Sequence, residues 1–147
     1  IHMNLDDEDD CLSLYNGVII ESGELIPEFI MAIDVPGEVE SLYSKDSTIF
    51  AGLSNSNGFL QTKINADGSI TGPHQFAVGY TIKGLDQDNE LLALAVGHDG
   101  ILLYSLKGND ITFIGKLETA YANNVKVSGN IIFAATEDGI EIIQIDY

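Results

Sequence analysis

The sequence predicts an all-β protein built from a unit of about 40 residues that occurs four times, a period typical of repeat folds. One observation is a recurring Asn-Gly or Asp-Gly dipeptide, whose glycines are 41, 42 and 39 residues apart. A second is that short apolar runs with the alternation of β-strands flank these dipeptides, while no segment has the pattern of a long amphipathic helix. The four dipeptides are Asn16-Gly17, Asn57-Gly58, Asp99-Gly100 and Asp138-Gly139.

The last repeat shows the pattern most clearly. Apolar runs at 125–127, 131–135 and 140–145 are separated by Ser-Gly-Asn at 128–130 and by Asp138-Gly139. An Asp-Gly pair between two apolar runs favours a two-residue hairpin, because a type I′ turn needs positive φ at both central residues. We therefore predict three antiparallel strands here, with positive φ at Gly100 and at Gly139.

The two middle repeats each predict four strands, and the N-terminal repeat predicts three. Pro27 lies near the start of the third N-terminal strand, where a missing backbone donor is best tolerated at a sheet edge. The predicted strands are 12–15, 18–21 and 25–33; then 39–43, 48–53, 59–64 and 69–78; then 80–85, 91–96, 101–106 and 111–117, with turns at 86–90 and 107–110. The count indicates a β-propeller-like array of about three and a half four-stranded blades, fewer than the roughly four to eight of closed propellers.

The repeats also resemble a known family. Gly-Ile-Glu-Ile-Ile-Gln-Ile-Asp at 139–146, preceded by Val-Lys-Val-Ser-Gly-Asn at 125–130 and Phe-Ala-Ala at 133–135, is similar to the LVIVD-type bacterial β-propeller repeat. The resemblance covers 11–147 and weakens toward the N-terminus, where 58–61 has no counterpart of Asp146. It implies a cell-surface propeller, a class whose activities are obscure.

The N-terminal residues 1–10 are predicted to lie outside the repeat domain, which we place at 11–147. Residues 1–3 look like an expression-vector scar, and 4–10 form an acidic run that repels itself and is expected to be flexible. This run resembles the acidic tether of bacterial surface lipoproteins. The resemblance implies an extracytoplasmic protein with a lipid anchor.

Charge excludes some partners. Asp and Glu number 23 against six Lys and Arg, a formal net charge of −17. Such a field repels nucleic acid and anionic membrane surfaces. No apolar run approaches the roughly 18 residues of a transmembrane helix, so no membrane span is predicted.

Candidate binding residues lie in the loops that an up-and-down sheet array gathers on one face. These loops present Glu38, Tyr80, His98, Asp99, Tyr121 and Asn123. Binding commonly resides in loops carried by a rigid scaffold. Packing between sheets is the alternative role for both tyrosines, and a plain surface position is the alternative for His98.

Three hypotheses of function follow. The first is a noncatalytic cell-surface module that binds a protein or a glycan on the loop face. The second is a hydrolase or lyase that uses His98 and Asp99, with Glu38 and a tyrosine, on the same face. The third is a structural assembly element. The sequence shows no metal-ligand spacing and no phosphate-binding glycine motif, so we predict no catalytic residue, no metal and no cofactor.

Assembly is the final expectation. The first repeat lacks an opening strand and the last lacks a closing one, so open sheet edges are predicted near residues 25–26 and 142–143. Such edges are normally covered or completed by another chain. We therefore predict either a homodimer formed by strand addition across these edges or a fragment of a longer propeller. Cys11 is the sole cysteine, a small buried hydrophobe or a link between two chains.

Overall fold

A computed structural model describes residues 11–19, 22–23 and 25–146 of the protein. The predicted vector scar and acidic tail at 1–10 lie outside the described residues. Within them the chain forms 13 β-strands in four antiparallel sheets and no helix, so the predicted all-β class is confirmed. No helix of the described part is long and apolar enough to cross a membrane.

The strands follow one another with short connections. Their bounds are β1 Cys11–Ile19, β2 Leu25–Asp34, β3 Val39–Lys45, β4 Thr48–Leu53, β5 Phe59–Ile64, β6 Ile70–Phe76, β7 Gly84–Asp88, β8 Leu91–Ala95, β9 Ile101–Lys107, β10 Asp110–Leu117, β11 Ala122–Ser128, β12 Ile131–Thr136 and β13 Gly139–Gln144.

Each sheet is a meander whose neighbours in space are neighbours in sequence. The sheets are β1–β2, β3–β6, β7–β10 and β11–β13. The predicted strands 48–53 and 59–64 coincide with β4 and β5, because an apolar run marks β4 and turn residues bound β5 on both sides. The predicted three strands of the last repeat are also present: β11 and β12 extend beyond the predicted bounds, and β13 is shifted by one residue toward the N-terminus.

Asn16-Gly17 was predicted to be a hairpin turn, and this is wrong. Both residues lie inside β1, opposite Glu28 and Pro27 of β2. The chain reverses further along, at a turn that includes Ser22 and Gly23, and Gly23 has φ of +80°. A reversal there lets the two strands pair over their whole length, which satisfies more backbone groups than a turn at residue 16 would.

The predicted turn at 86–90 is also wrong in part. β7 begins at Gly84, and Asp86 to Asp88 continue the strand, so the turn shrinks to Asn89 and Glu90. Asp86 is buried, and its Oδ2 accepts a hydrogen bond of 2.8 Å from the backbone N–H of Val127 in the next sheet. That contact between sheets holds the polar segment in an extended conformation.

Positive φ is confirmed at Gly100 (+79°) and at Gly139 (+125°), but the Asp-Gly pair at 138–139 is not the centre of its turn. Gly139 opens β13 and pairs with Thr136, so Glu137 and Asp138 are the central residues. The hairpin therefore forms at the predicted place, but its turn is centred one residue earlier than predicted.

The sheets pack face to face in chain order around three apolar clusters. The middle strand β8 shows why both faces of its sheet are apolar. Leu92 and Leu94 pack toward β3–β6, while Leu91, Ala93 and Ala95 pack toward β11–β13. A strand buried on both faces reads as a continuous apolar run rather than as an alternation.

Candidate functional site

A cleft of about 230 Å³ lies where three loops and the residue before β11 meet. The loops are β4–β5, β6–β7 and β8–β9, and Tyr121 completes the wall. The side chains of interest in this loop-face cleft are Tyr80, Thr81, Lys83, His98, Asp99 and Tyr121.

Backbone hydrogen bonds hold the first two loops together. The N–H of Ser56 donates to Thr81 Oγ1 at 2.9 Å, and the N–H of Gly79 donates to the Ser56 carbonyl at 2.8 Å. The Gly58 N–H donates to the Tyr80 carbonyl at 2.8 Å. Because these bonds link one loop to the next, the position of Tyr80 is fixed by the scaffold.

A similar tie fixes Tyr121. Gly97 and Ala122 exchange two backbone hydrogen bonds of 3.1 and 3.0 Å, an isolated β-bridge between the β8–β9 loop and β11. Gly97 has φ of +64°, and a Cβ there would lie 3.1 Å from Cε2 of Tyr121. Glycine thus allows both the left-handed conformation and the close approach of the tyrosine ring.

The imidazole of His98 meets the Tyr121 ring edge to face. The ring centroids are 4.7 Å apart and the planes make an angle of 87°. This is a preferred arrangement for two π-systems. The pair, with Tyr80 nearby on the neighbouring loop, gives the cleft a partly exposed aromatic wall.

The lysines at the cleft are paired with carboxylates. Lys83 Nζ lies 2.9 Å from Glu40 Oε1, and Lys116 Nζ lies 2.8 Å from Asp99 Oδ1. The hydrogen bond to Glu40 raises the pKa of the Lys83 ammonium, and the hydrogen bond to Asp99 raises the pKa of Lys116. Both lysines are therefore charged at neutral pH, and each charge is balanced by its partner.

The structure brings together four of the six predicted site residues. Tyr80, His98, Asp99 and Tyr121 all line the loop-face cleft. Glu38 and Asn123 are exposed and lie outside its lining. The Glu38 carbonyl accepts a hydrogen bond from the Ser54 N–H at 2.9 Å, and Asn123 lies at the bulge near the start of β11.

Ser56 and Thr81 lie in loops predicted to share this face but were not singled out as binding residues, and Lys83 was not expected there. Residues 80–85 were predicted to be a strand, whereas β7 begins at Gly84 and residues 80–83 belong to the loop. The available signal was Gly84 itself, since glycine is depleted within strands and often marks an element boundary.

The predicted acid–base pair of His98 and Asp99 is not formed in the described part of the cleft. Within the described residues no hydrogen bond joins His98 to Asp99, whose Oδ1 accepts from Lys116 instead. In the same part of the chain, no group of three His, Cys, Asp or Glu side chains is arranged to hold a metal ion. The arrangement is suited to stacking and hydrogen bonding.

A larger cleft of about 310 Å³ lies by the hairpin turns of β3–β4, β7–β8 and β9–β10. Its wall is made mainly of amide and charged side chains, among them Lys45, Gln61, Gln87 and Asn109. Its aromatic residue, Phe50, is buried in the core between sheets. Because no aromatic face is offered to a ligand, we regard the loop-face cleft as the candidate site.

The fold and the cleft together place the chain in a structural class: all-β proteins whose antiparallel sheets pack on one another in chain order and whose loops enclose a small cleft. The crystal structure of the computationally designed Ika4 protein is similar, with a TM-score of 0.62 and 14% sequence identity. The match covers 81% of this chain and 74% of that chain, and at this identity it shows the fold alone. No protein-family model and no curated protein matches the chain.

Proposed function

We propose that the protein is a noncatalytic binding module that takes a neutral glycan in the loop-face cleft. The observation that carries the proposal is a wall of three ring side chains, Tyr80, His98 and Tyr121, beside lysines whose charges are already balanced. Pockets that combine an apolar wall with a few polar groups bind ligands that have both kinds of surface.

A sugar ring fits this chemistry. Its C–H face packs on an aromatic ring, while its hydroxyl groups reach polar atoms such as Thr81 Oγ1 and the tyrosine hydroxyls. The net charge of −17 disfavours anionic glycans through the long-range field. Lys83, which lines the cleft, is paired with Glu40, so its charge is already balanced and attracts an acidic ligand less strongly.

The size of the cleft sets the scale of the ligand. Its volume of about 230 Å³ lies below the roughly 300–1,000 Å³ of pockets for drug-sized molecules. The cleft therefore suits a terminal sugar rather than a long segment of polymer. Binding through so few contacts is expected to be weak, in the millimolar to high micromolar range of dissociation constants, about −4 to −6 kcal/mol.

The wider architecture remains part of the proposal. Four meandering sheets packed in chain order support a propeller-like array, and the equivalent glycines Gly58, Gly100 and Gly139 support the LVIVD-type resemblance. A cell-surface location, with a lipid anchor, follows from that resemblance and from the acidic run at 4–10.

The test is a titration of the protein with a panel of neutral mono- and oligosaccharides, monitored by NMR chemical shifts. We expect saturable shifts at His98 and Tyr121, and Tyr121→Ala should weaken binding by about two- to tenfold, because it removes one stacked ring worth about 0.5–1.5 kcal/mol. Glu38→Ala and Asn123→Ala are matched controls, because both residues are on the predicted loop face but outside the cleft.

Other outcomes discriminate the rival hypotheses. If a peptide bound saturably, no glycan bound, and Tyr121→Ala abolished the peptide binding, the ligand of the cleft would be a protein instead of a glycan. Turnover of a bound sugar that His98→Ala removes would establish the hydrolase or lyase. Binding that all four variants leave unchanged would show that the site is elsewhere.

A further inference from the structure

The outward face of sheet β11–β13 is an exposed apolar surface. Phe133 and Ile142 are cross-strand partners on it, and Ile140 pairs with Ala135 beside them. Ile140 is 76% exposed and Ile142 is 68% exposed. These four side chains, Phe133, Ala135, Ile140 and Ile142, define the outward face. The exposed positions of the three strands carry no Asp or Glu, although the chain has 23 such residues.

The position of Ile140 is buried in both preceding repeats, and the position of Ile142 is buried in one of them. Ile140 directly follows the turn glycine, as Phe59 and Ile101 do, and both of those side chains are 0% exposed. Ile142 corresponds in the same way to Leu103, which is also buried. A face that is filled twice within the chain is therefore open in its third copy.

What fills the two earlier copies is the next sheet along the chain. Phe59 packs with Leu92 and Leu94 of the sheet that follows it. Ile101 belongs to a cluster with Val125 and Ile132 of the last sheet. The outward face therefore has the apolar side chains that, in the two earlier repeats, are covered by the next β-sheet.

We propose that the outward face docks a second copy of this chain, which packs its first sheet, β1–β2, upon it. The first sheet already packs one face on the following sheet through Leu12 and Ile33, and it also exposes Ile30. One copy therefore supplies both a receiving face and a sheet to be received. Two copies joined reciprocally close with two-fold symmetry, the commonest symmetry of oligomers.

This contact continues the packing of sheet on sheet and differs from strand addition at the sheet edges, which the strand count predicts. It places side chains, rather than backbone groups, at the centre of the interface. The charge of −17 on each copy opposes association. Because salt shortens the range of that repulsion to about 8 Å at physiological ionic strength, the dimer should tighten as salt rises.

The test is sedimentation equilibrium of the full chain over a range of protein concentrations at low and moderate salt. We expect a monomer–dimer equilibrium whose dissociation constant falls severalfold on adding salt. Ile140→Asp should raise that constant at least tenfold. Val78→Asp is the matched control, because Val78 is 67% exposed but lies in the β6–β7 loop, and it should change the constant less than about twofold.

Hydrogen exchange then identifies the partner surface. Dimerisation should slow exchange in β12 and β13 and in β1 and β2 together, and circular dichroism should show that both variants keep the wild-type fold. A monomer at high micromolar concentration and moderate salt would overturn the proposal. So would a dimer that Ile140→Asp leaves intact, or protection confined to β12 and β13.

Discussion

The sheets β7–β10 and β11–β13 are two copies of the same repeat unit, and they lie in different surroundings. Strand β8 is buried along its whole length, whereas in β12 buried Ile132 and Ala134 alternate with exposed Phe133 and Ala135. The sequences of both strands are apolar, apart from Thr136 at the end of β12. Burial therefore depends on whether a neighbouring sheet covers each face, and apolar composition alone does not decide it.

The space around the turn glycines also depends on which neighbouring strands are present. A Cβ on Gly100 would collide with the carbonyl oxygen of Leu117 at the end of β10, whereas a Cβ on Gly139 meets no atom within 4 Å. Gly58 is crowded in the same way, by the carbonyl oxygen of Phe76 at the end of β6. The fourth strand of a complete sheet passes close to the glycine, and the described last sheet has three strands.

The largest expected effect separates a core position from its exposed counterpart. Leu94→Ala should destabilise the protein by about 2–5 kcal/mol, because it removes a buried side chain and leaves a cavity. Ile142→Ala should change stability by less than about 0.5 kcal/mol, as at other surface positions. Urea unfolding at a concentration that keeps the chain monomeric measures both, and equal losses would contradict the comparison.

The glycine pair should give the next largest difference. Gly100→Val is expected to cost about 3 kcal/mol, since it adds a steric clash to the strain of positive φ. Gly139→Val should cost about 1 kcal/mol, which is the strain alone. Thermal unfolding of the two variants side by side provides the measurement. If Gly139→Val proved the more destabilising of the two variants, crowding by the fourth strand would not be what determines the cost of replacing Gly100.

The contact between the two sheets can be tested at Asp86. Its carboxylate accepts from Val127 N–H at 2.8 Å and from Lys126 Nζ at 3.1 Å. Asp86→Ala should cost about 2 kcal/mol, because the Val127 donor loses its acceptor in a partly buried place. Asp88→Ala removes an exposed bond from Gly129 N–H and should cost about 0.5 kcal/mol.

Chemical denaturation of the Asp86 and Asp88 variants gives the two costs directly. Asp86→Asn serves as a conservative control, because its amide oxygen can still accept from Val127. It should recover part of the loss. Equal stability of wild type and Asp86→Ala would mean that the carboxylate does not hold β7 in its extended conformation.

The smallest expected effect is a pH dependence at the opposite interface of β7–β10. Burial, with the nearby Asp86 and Asp88 carboxylates, raises the pKa of Tyr43 above 10.0, and its hydroxyl donates to the Gln87 carbonyl at 2.8 Å. Because the folded pKa is raised, the unfolded chain ionises first. Stability is therefore fully present below pH 10.0 and declines as pH rises toward the folded pKa.

Melting temperatures measured between about pH 8 and 11, across the ordinary tyrosine pKa, test this dependence. Tyr43→Phe should flatten the decline, and adding Tyr104→Phe should flatten it further, since burial also raises the pKa of Tyr104. A decline of unchanged slope in the double variant would exclude these tyrosines as its source.

The sequence by itself determined most strands of the two complete repeats and the positive φ at Gly100 and Gly139. The apolar run of β4 and the turn residues on both sides of β5 set the bounds of these two strands to the residue, and local turn chemistry sets positive φ at Gly100. It also indicated most of the candidate site, because meandering sheets place alternate loops at one end. Tyr80 and Tyr121 met there for that reason.

Where local turn signals competed with contacts between strands and sheets, only the tertiary structure decided whether a segment is a turn or a strand. Asn16-Gly17 has strong turn chemistry but lies within β1, because pairing with β2 satisfies the whole strand. Asp86 is in a polar segment but is a buried strand residue, because the next sheet donates a hydrogen bond to it. Turn propensity is a local preference, and hydrogen bonds and burial supplied by residues far along the chain outweigh it.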